Sequence, residues 1–233
     1  MRNKSFLISL LSIVLIVVLV FVTYKFNIHY YLTASAIILI SMVPVFFSFE
    51  NRKPDPRELV IIAVITAIAV VSRVAFIALP TIKPVIAVIM LSGFAFGPQA
   101  GFLCGSTTAF VSNFVFSQGA WTPWQMLAYG LAGLLAGLFA KANLITGKNR
   151  ITSAILGFVM VMIVVGPVLD LGSVFLMSNV VSFKRILLFL STGAAMNLSL
   201  AISTAVTLFL ITGSMMKKLE RVQIKYGVFK KWR

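Results

Sequence analysis

Trp121, Trp124, Gln118 and Gln125 fall within eight residues, with Asn113 a few positions before them, and no charge interrupts the run from Gly93 to Gly137. Aromatic faces stack on flat organic rings and amides both donate and accept hydrogen bonds, so this company suits orienting a small organic ligand in a concavity. Trp121 and Trp124 have a second use, as anchors at a membrane interface. Two further charges stand inside long apolar runs, Arg73 and Asp170. An unpaired ion there costs at least a few kcal/mol, so the sequence predicts that the two pair or face a wet cavity. They serve either as a purely structural ion pair or as groups lining a ligand pocket.

Acid–base or nucleophilic catalysis finds little material here. The chain has one histidine, His29, placed at a helix end near the N-terminus, and no metal-ligand cluster, paired carboxylates or G-x-S-x-G elbow. No G-x-x-x-x-G-K-[ST] loop is present either, so any ATP hydrolysis has to come from partners. No cofactor or metal is expected. The lone Cys104 lies within an apolar run and reads as a small core residue.

These residues are positioned by elements that belong in a bilayer. Hydrophobic residues make up 60% of the 233, charged ones 11%, and the mean hydropathy is +1.06, more apolar surface than a soluble domain of this length can bury. Apolar runs of roughly 20 residues recur, the length of a helix crossing about 30 Å of hydrocarbon, without barrel-type alternation. The fold class is therefore an all-α integral membrane protein. Phe6–Tyr24 is too long for a signal-peptide core and no small-residue cleavage site follows it. Tyr31–Phe49, interrupted by Pro44, is a second span, and the ENRKPDPRE segment from Glu50 to Glu58 closes a two-helix extension, residues 1–56.

A six-helix core follows, residues 57–216. Leu59–Leu79 is a full span broken by Pro80 and Pro84; Val85–Phe96 is a short helix; Gln99–Phe116 follows Gly97-Pro98 almost directly; Trp124–Ala140 is another span. Ile151–Met177 is long, with a kink expected at Gly166-Pro167. Ile186–Ile211 is the last span, ahead of a basic tail, residues 217–233. Gly97, Gly101 and Gly105, like Gly133 and Gly137, repeat every fourth residue and mark faces where helices approach closely.

Charge orients the spans. With the N-terminus inside, fifteen of the 20 bases fall on inner segments, and only Lys25, Lys83, Lys184 and Arg185 on outer ones. Both termini are expected in the cytoplasm of a plasma-membrane protein. The net charge of +15 then reads as topology and attraction to anionic lipid, and nucleic-acid binding is the less economical reading. Arg73, Lys83, Asn113, Gln118, Trp121, Trp124, Gln125 and Asp170 all fall towards the outer face.

At this point the core resembles the substrate-binding S component of energy-coupling factor (ECF) vitamin transporters. The resemblance rests on the short second core helix, Lys83-Pro84 before it, the GFAFGPQAGF junction (Gly93–Phe102), the SNFVFSQGAWTPWQM segment (Ser112–Met126) and an Ala-x-x-x-Ala stripe, Ala63 and Ala67, on the first core helix. It covers about Arg57 to Met216. It implies capture of a vitamin from outside, and docking through the Ala63 and Ala67 face to a transmembrane coupling subunit that works with two ATPases. The tryptophan-rich segment most resembles cobalamin-type or loosely described vitamin members, and stacking aromatics with amides suit a cobalamin, a flavin or another heterocycle. The two N-terminal spans depart from the six-helix pattern. Readings of another class are an intramembrane enzyme acting on a lipid or isoprenoid through Arg73 and Asp170, and a membrane scaffold without a small-molecule ligand.

Overall fold

A computed structural model describes residues 2–26, 30–51, 53–79, 82–145, 147–177 and 182–229. His29, Pro80, Thr81, the connection 178–181 and the last four residues lie outside the described residues. The described chain is all-helical: α1 (Arg2–Phe26), α2 (Tyr30–Asn51), α3 (Pro56–Ala75), α4 (Val85–Phe96), α5 (Pro98–Phe116), α6 (Thr122–Lys141), α7 (Arg150–Met160), α8 (Gly166–Met177) and α9 (Phe183–Tyr226). Five apolar stretches within it are long enough to cross a membrane: Leu32–Asn51, Pro56–Ala75, Thr122–Lys141, Arg150–Met177 and Phe183–Tyr226. The chain is a multi-pass membrane protein. The end of the bundle that carries the α5–α6 connection is called the outer end below.

Local signals set the helix starts. Asp55 accepts from the backbone N–H of Arg57, with Pro56 at the first helical position, so α3 begins with a cap and a preset φ. Asn149 caps α7 and Ser182 caps α9 in the same way. Gly97, at φ 89°, makes the reversal that lets α4 turn straight into α5. Pro167 has no N–H to offer the carbonyl of Ile163. The helix absorbs this by widening into a π turn, Val161–Val165, in which Gly166 N–H donates back to Val161 O. The break expected at Gly166-Pro167 is thus an expanded turn between α7 and α8. Pro44, expected to interrupt its span, is carried inside a continuous α2.

All twelve residues of α4 are buried, and it forms the bundle's axis. Around it the glycines pack backbone to backbone. A β-carbon on Gly101 or Gly133 would collide with the other's main chain, and one on Gly137 with that of Pro98, so α5 and α6 approach as closely as their spacing suggested. α2 lies against the outside of α5, α6 and α8. Its Ala34, Ile38 and Met42 form one buried cluster with Phe102 of α5 and Trp124 of α6, and Phe46 meets Phe102 edge to face at 5.7 Å.

The last helix departs from the sequence reading, which ended it at Ile211. α9 runs on for 44 residues to Tyr226, because Met216 and Leu219 pack into the core while Gln223 donates to the carbonyl of Ala95. A stretch rich in lysine stays helical when one face has somewhere to go. Gly227 then turns the chain in a left-handed conformation, and Phe229 stacks on Phe96 with its N–H donated to Glu58 at 2.8 Å.

Candidate functional site

Arg73 is buried in the outer third of the bundle, where α3, α5 and α6 meet. Its guanidinium donates to Ser112 Oγ and, at 3.0 Å, to Asn113 Oδ1. The same group lies 4.5 Å from the centre of the Phe116 ring and 5.6 Å from that of Tyr129. Asn113 passes the chain on, donating to Thr122 Oγ1 at 3.0 Å, and Thr122 donates to Gln118 Oε1 at 2.9 Å. Gln118 Nε2 closes the α5–α6 turn on the carbonyl of Phe110. The amides of Asn113 and Gln118 are therefore engaged within the protein, and they hold α6 in place over Arg73. Lys83 joins this group from the α3–α4 connection, its Nζ 5.3 Å from the Phe116 ring. Its own N–H donates to Ser203 on α9. Partial burial pulls its ammonium below the ordinary lysine pKa, and the charge of Arg73 lowers it further.

Asp170 stands elsewhere. Its carboxylate accepts from Asn197 Nδ2 at 2.7 Å, on α9, and the expected ion pair with Arg73 does not form. The two charges share a depth but not a neighbour: Arg73 points from α3 towards α5 and α6, while Asp170 on α8 faces α9. Trp121, just ahead of α6, and Trp124 and Gln125 within it join Asp170 and Asn197 around a cavity of about 220 Å³ between α6, α8 and α9. Trp124 is stacked on Phe175, centroids 5.3 Å apart. Its indole N–H and the Gln125 carbonyl oxygen are buried without a hydrogen-bond partner.

Glycines make room for these side chains. A β-carbon on Gly172 would sit 2.8 Å from Trp124 Cγ, one on Gly166 would sit 2.6 Å from Asn197 Cγ, and one on Gly193 would strike the Asp170 carboxylate. So the eight residues singled out in the sequence separate into two groups. Arg73, Lys83, Asn113 and Gln118 lie on one side of the start of α6, and Trp121, Trp124, Gln125 and Asp170 on the other. Asn197, Phe175, Phe116 and Tyr129 were not picked out from the sequence. Asn197 was visible there as the amide within an otherwise apolar stretch, AAMNLSL; the aromatics carried no signal among so many.

Ala63 and Ala67 are exposed on α3, as the stripe requires. Beside them an apolar groove of about 490 Å³ runs between α3 and the inner half of α9, lined by Val60, Val64, Ile68, Leu219 and Val222 among others, with Arg57 and Lys218 at its rim.

The family model "ECF-type riboflavin transporter, S component" matches residues 54–221. The chain belongs to that family of transporter substrate-binding components. A UPF0397 protein of Vibrio atlanticus is 32% identical over 146 residues, covering 59% of this chain and 76% of its own. Two UPF0397 proteins of Aliivibrio fischeri are 37% identical over 75 residues, 32% of this chain and 38% of theirs, so the chain matches well under half of those relatives' length. No solved structure matches the chain. The S-component match begins just ahead of α3 and leaves α1 and α2 outside it.

Proposed function

We propose that this chain captures a vitamin with a flat heterocycle, of the riboflavin type, from the extracellular side, and hands it on unchanged through a coupling subunit driven by two ATPases. The observation that carries the reading is the cavity between α6, α8 and α9. Two residues that line it, Trp124 and Gln125, each carry a buried polar atom, Nε1 and Oε1, with no partner in the protein. A buried polar group left unpaired costs about 1–3 kcal/mol, so such groups persist where a ligand pairs them. Trp124, held by stacking on Phe175, supplies an aromatic wall, Asp170 accepts a heterocycle N–H, and Asn197 and Gly193 fix the position of that carboxylate.

The cobalamin-like ligand suggested by the tryptophans is displaced in this proposal. A cavity of about 220 Å³ lies below the roughly 300–1,000 Å³ of pockets for drug-sized ligands, room for a fused ring system rather than a corrin macrocycle. The family description, which names riboflavin, points the same way. The exposed Ala63–Ala67 face and the groove beside it suit a coupling subunit's helix, and the inner excess of bases supports a reading with both termini in the cytoplasm at the plasma membrane.

Quenching of flavin fluorescence by the purified full-length chain tests the assignment. Riboflavin should bind to the parent, and Trp124→Ala and Asp170→Asn should each weaken it by about tenfold or more. Unchanged affinity in both variants would remove the vitamin from this cavity. A corrinoid recovered from the purified chain by mass spectrometry would restore the cobalamin reading.

A further inference from the structure

The protein contains five acidic residues, and none of them meets Arg73 or Lys83. Glu50, Asp55 and Glu58 lie at the inner end, where α2 stops and α3 starts. Glu220 pairs with Lys148 at 2.9 Å on the same inner side, and Asp170 is hydrogen-bonded to Asn197. Two cations therefore flank the Phe116 ring from opposite elements with only neutral partners: serine, asparagine and aromatic faces. Arg73 is 4% exposed, and its Nε is buried without a partner. Neutral hydrogen bonds and ring faces compensate a buried guanidinium only in part, and a second cation nearby raises the cost. Such an arrangement is stable enough to fold and is improved by an incoming anion.

We propose that Arg73 and Lys83 form a subsite for an anionic group, a phosphate or carboxylate, on the transported solute. The inference rests on the S-component reading above and narrows it to solutes that carry a negative charge. Both groups of residues flank the first turns of α6. Thr122, which holds Asn113 against Arg73, is the neighbour of Trp121, and Lys83 is tied to Ser203, one turn below the cavity-lining Leu200. A solute with its ring against Trp124 reaches the cations by passing its tail across the start of α6, since neither Arg73 nor Lys83 lines the cavity itself. Arg73 keeps a buried donor, Nε, that the protein does not use, and Lys83 adds a half-buried ammonium beside it, the pairing of fork and point charge that suits an oxyanion.

Comparison of riboflavin with its 5′-phosphate on the full-length protein tests this. Both carry the same ring, and only the second carries the anion. The parent should bind the phosphate ester about tenfold more tightly, and Lys83→Gln should bring the ratio of the two affinities close to one. Arg73→Lys, which keeps the charge, should retain part of the preference. A parent that binds both equally, or a ratio untouched by Lys83→Gln, overturns the proposal. If neither flavin binds, the flavin reading falls and the subsite is judged by inorganic phosphate: at constant ionic strength against chloride, it should raise the parent's melting temperature but not that of Lys83→Gln. Failure of that shift overturns the subsite itself. Phosphatidylglycerol in nanodiscs provides the last arm, because displacement of the bound ester by this lipid, but not by phosphatidylcholine, would assign the cations to a headgroup and overturn the solute assignment.

Discussion

Lys83 lies half-buried with Arg73 facing it, and both effects favour its neutral form in the folded protein. Its ordinary value is 10.5, so in the unfolded chain it stays charged to higher pH than in the fold. The cost of holding the ammonium is complete below the lowered value and vanishes as pH rises towards 10.5, so this residue alone makes the free protein more stable with rising pH across that window. Anion binding runs the other way, because it needs the charge. The affinity ratio between flavin phosphate and riboflavin should hold steady from about pH 7.5, where the phosphate is fully ionised, and then fall with a midpoint below 10.5. Titration of the two affinities checks this, and a flat ratio in Lys83→Gln identifies the group. At this scale the sequence was legible in kind but not in partnership. Arg73 and Asp170 stood out as charges in apolar runs, but their pairing depended on which helices are neighbours, and one sequence does not carry that. Ser112 and Asn113 took the place that Asp170 was expected to fill, and Asn197 took that of Arg73.

Among elements, α2 has the least obvious reason to be where it is. It lies outside the family match, yet Ala34, Ile38 and Met42 share a buried cluster with Trp124. Trp124 is thus held on one side by α8, through Phe175 and Gly172, and backed by a helix that a six-helix core lacks. Ile38→Ala removes buried volume from that backing, at a cost of about 2–4 kcal/mol of stability if the space does not collapse. Riboflavin affinity should fall several-fold in the same variant and recover in Ile38→Met, whereas Leu39→Ala, on the exposed side of α2, should leave both stability and affinity unchanged. The spans themselves were readable because apolar length is dictated by bilayer thickness. The inner half of α9 was not, since Lys217, Lys218, Arg221 and Lys225 hid the buried face of Met216 and Leu219.

For the whole molecule, the two proposed roles, solute capture and docking to a coupling subunit, draw on different parts of one bundle, and they should be separable. Helices already in lipid gain little from hydrophobic burial and associate by close fit, so bulk on a small-residue face is selective in what it harms. Ala67→Trp should leave solute affinity intact, because Ala67 is exposed and far from α6, and should abolish co-purification with a coupling subunit. Loss of both together would make the stripe a matter of internal packing. Measuring both on one preparation decides.

α4 has a further consequence that follows from arithmetic alone. Twelve helical residues reach about 18 Å, while the hydrocarbon they sit in is about 30 Å deep. A helix anchored at the inner side by the turn at Gly97 therefore stops about 12 Å short of the outer edge of that hydrocarbon, at the α3–α4 connection that carries Lys83. The depth of that connection is set by a residue count rather than by any side chain: four more residues in α4 would raise it by about 6 Å, about one helical turn.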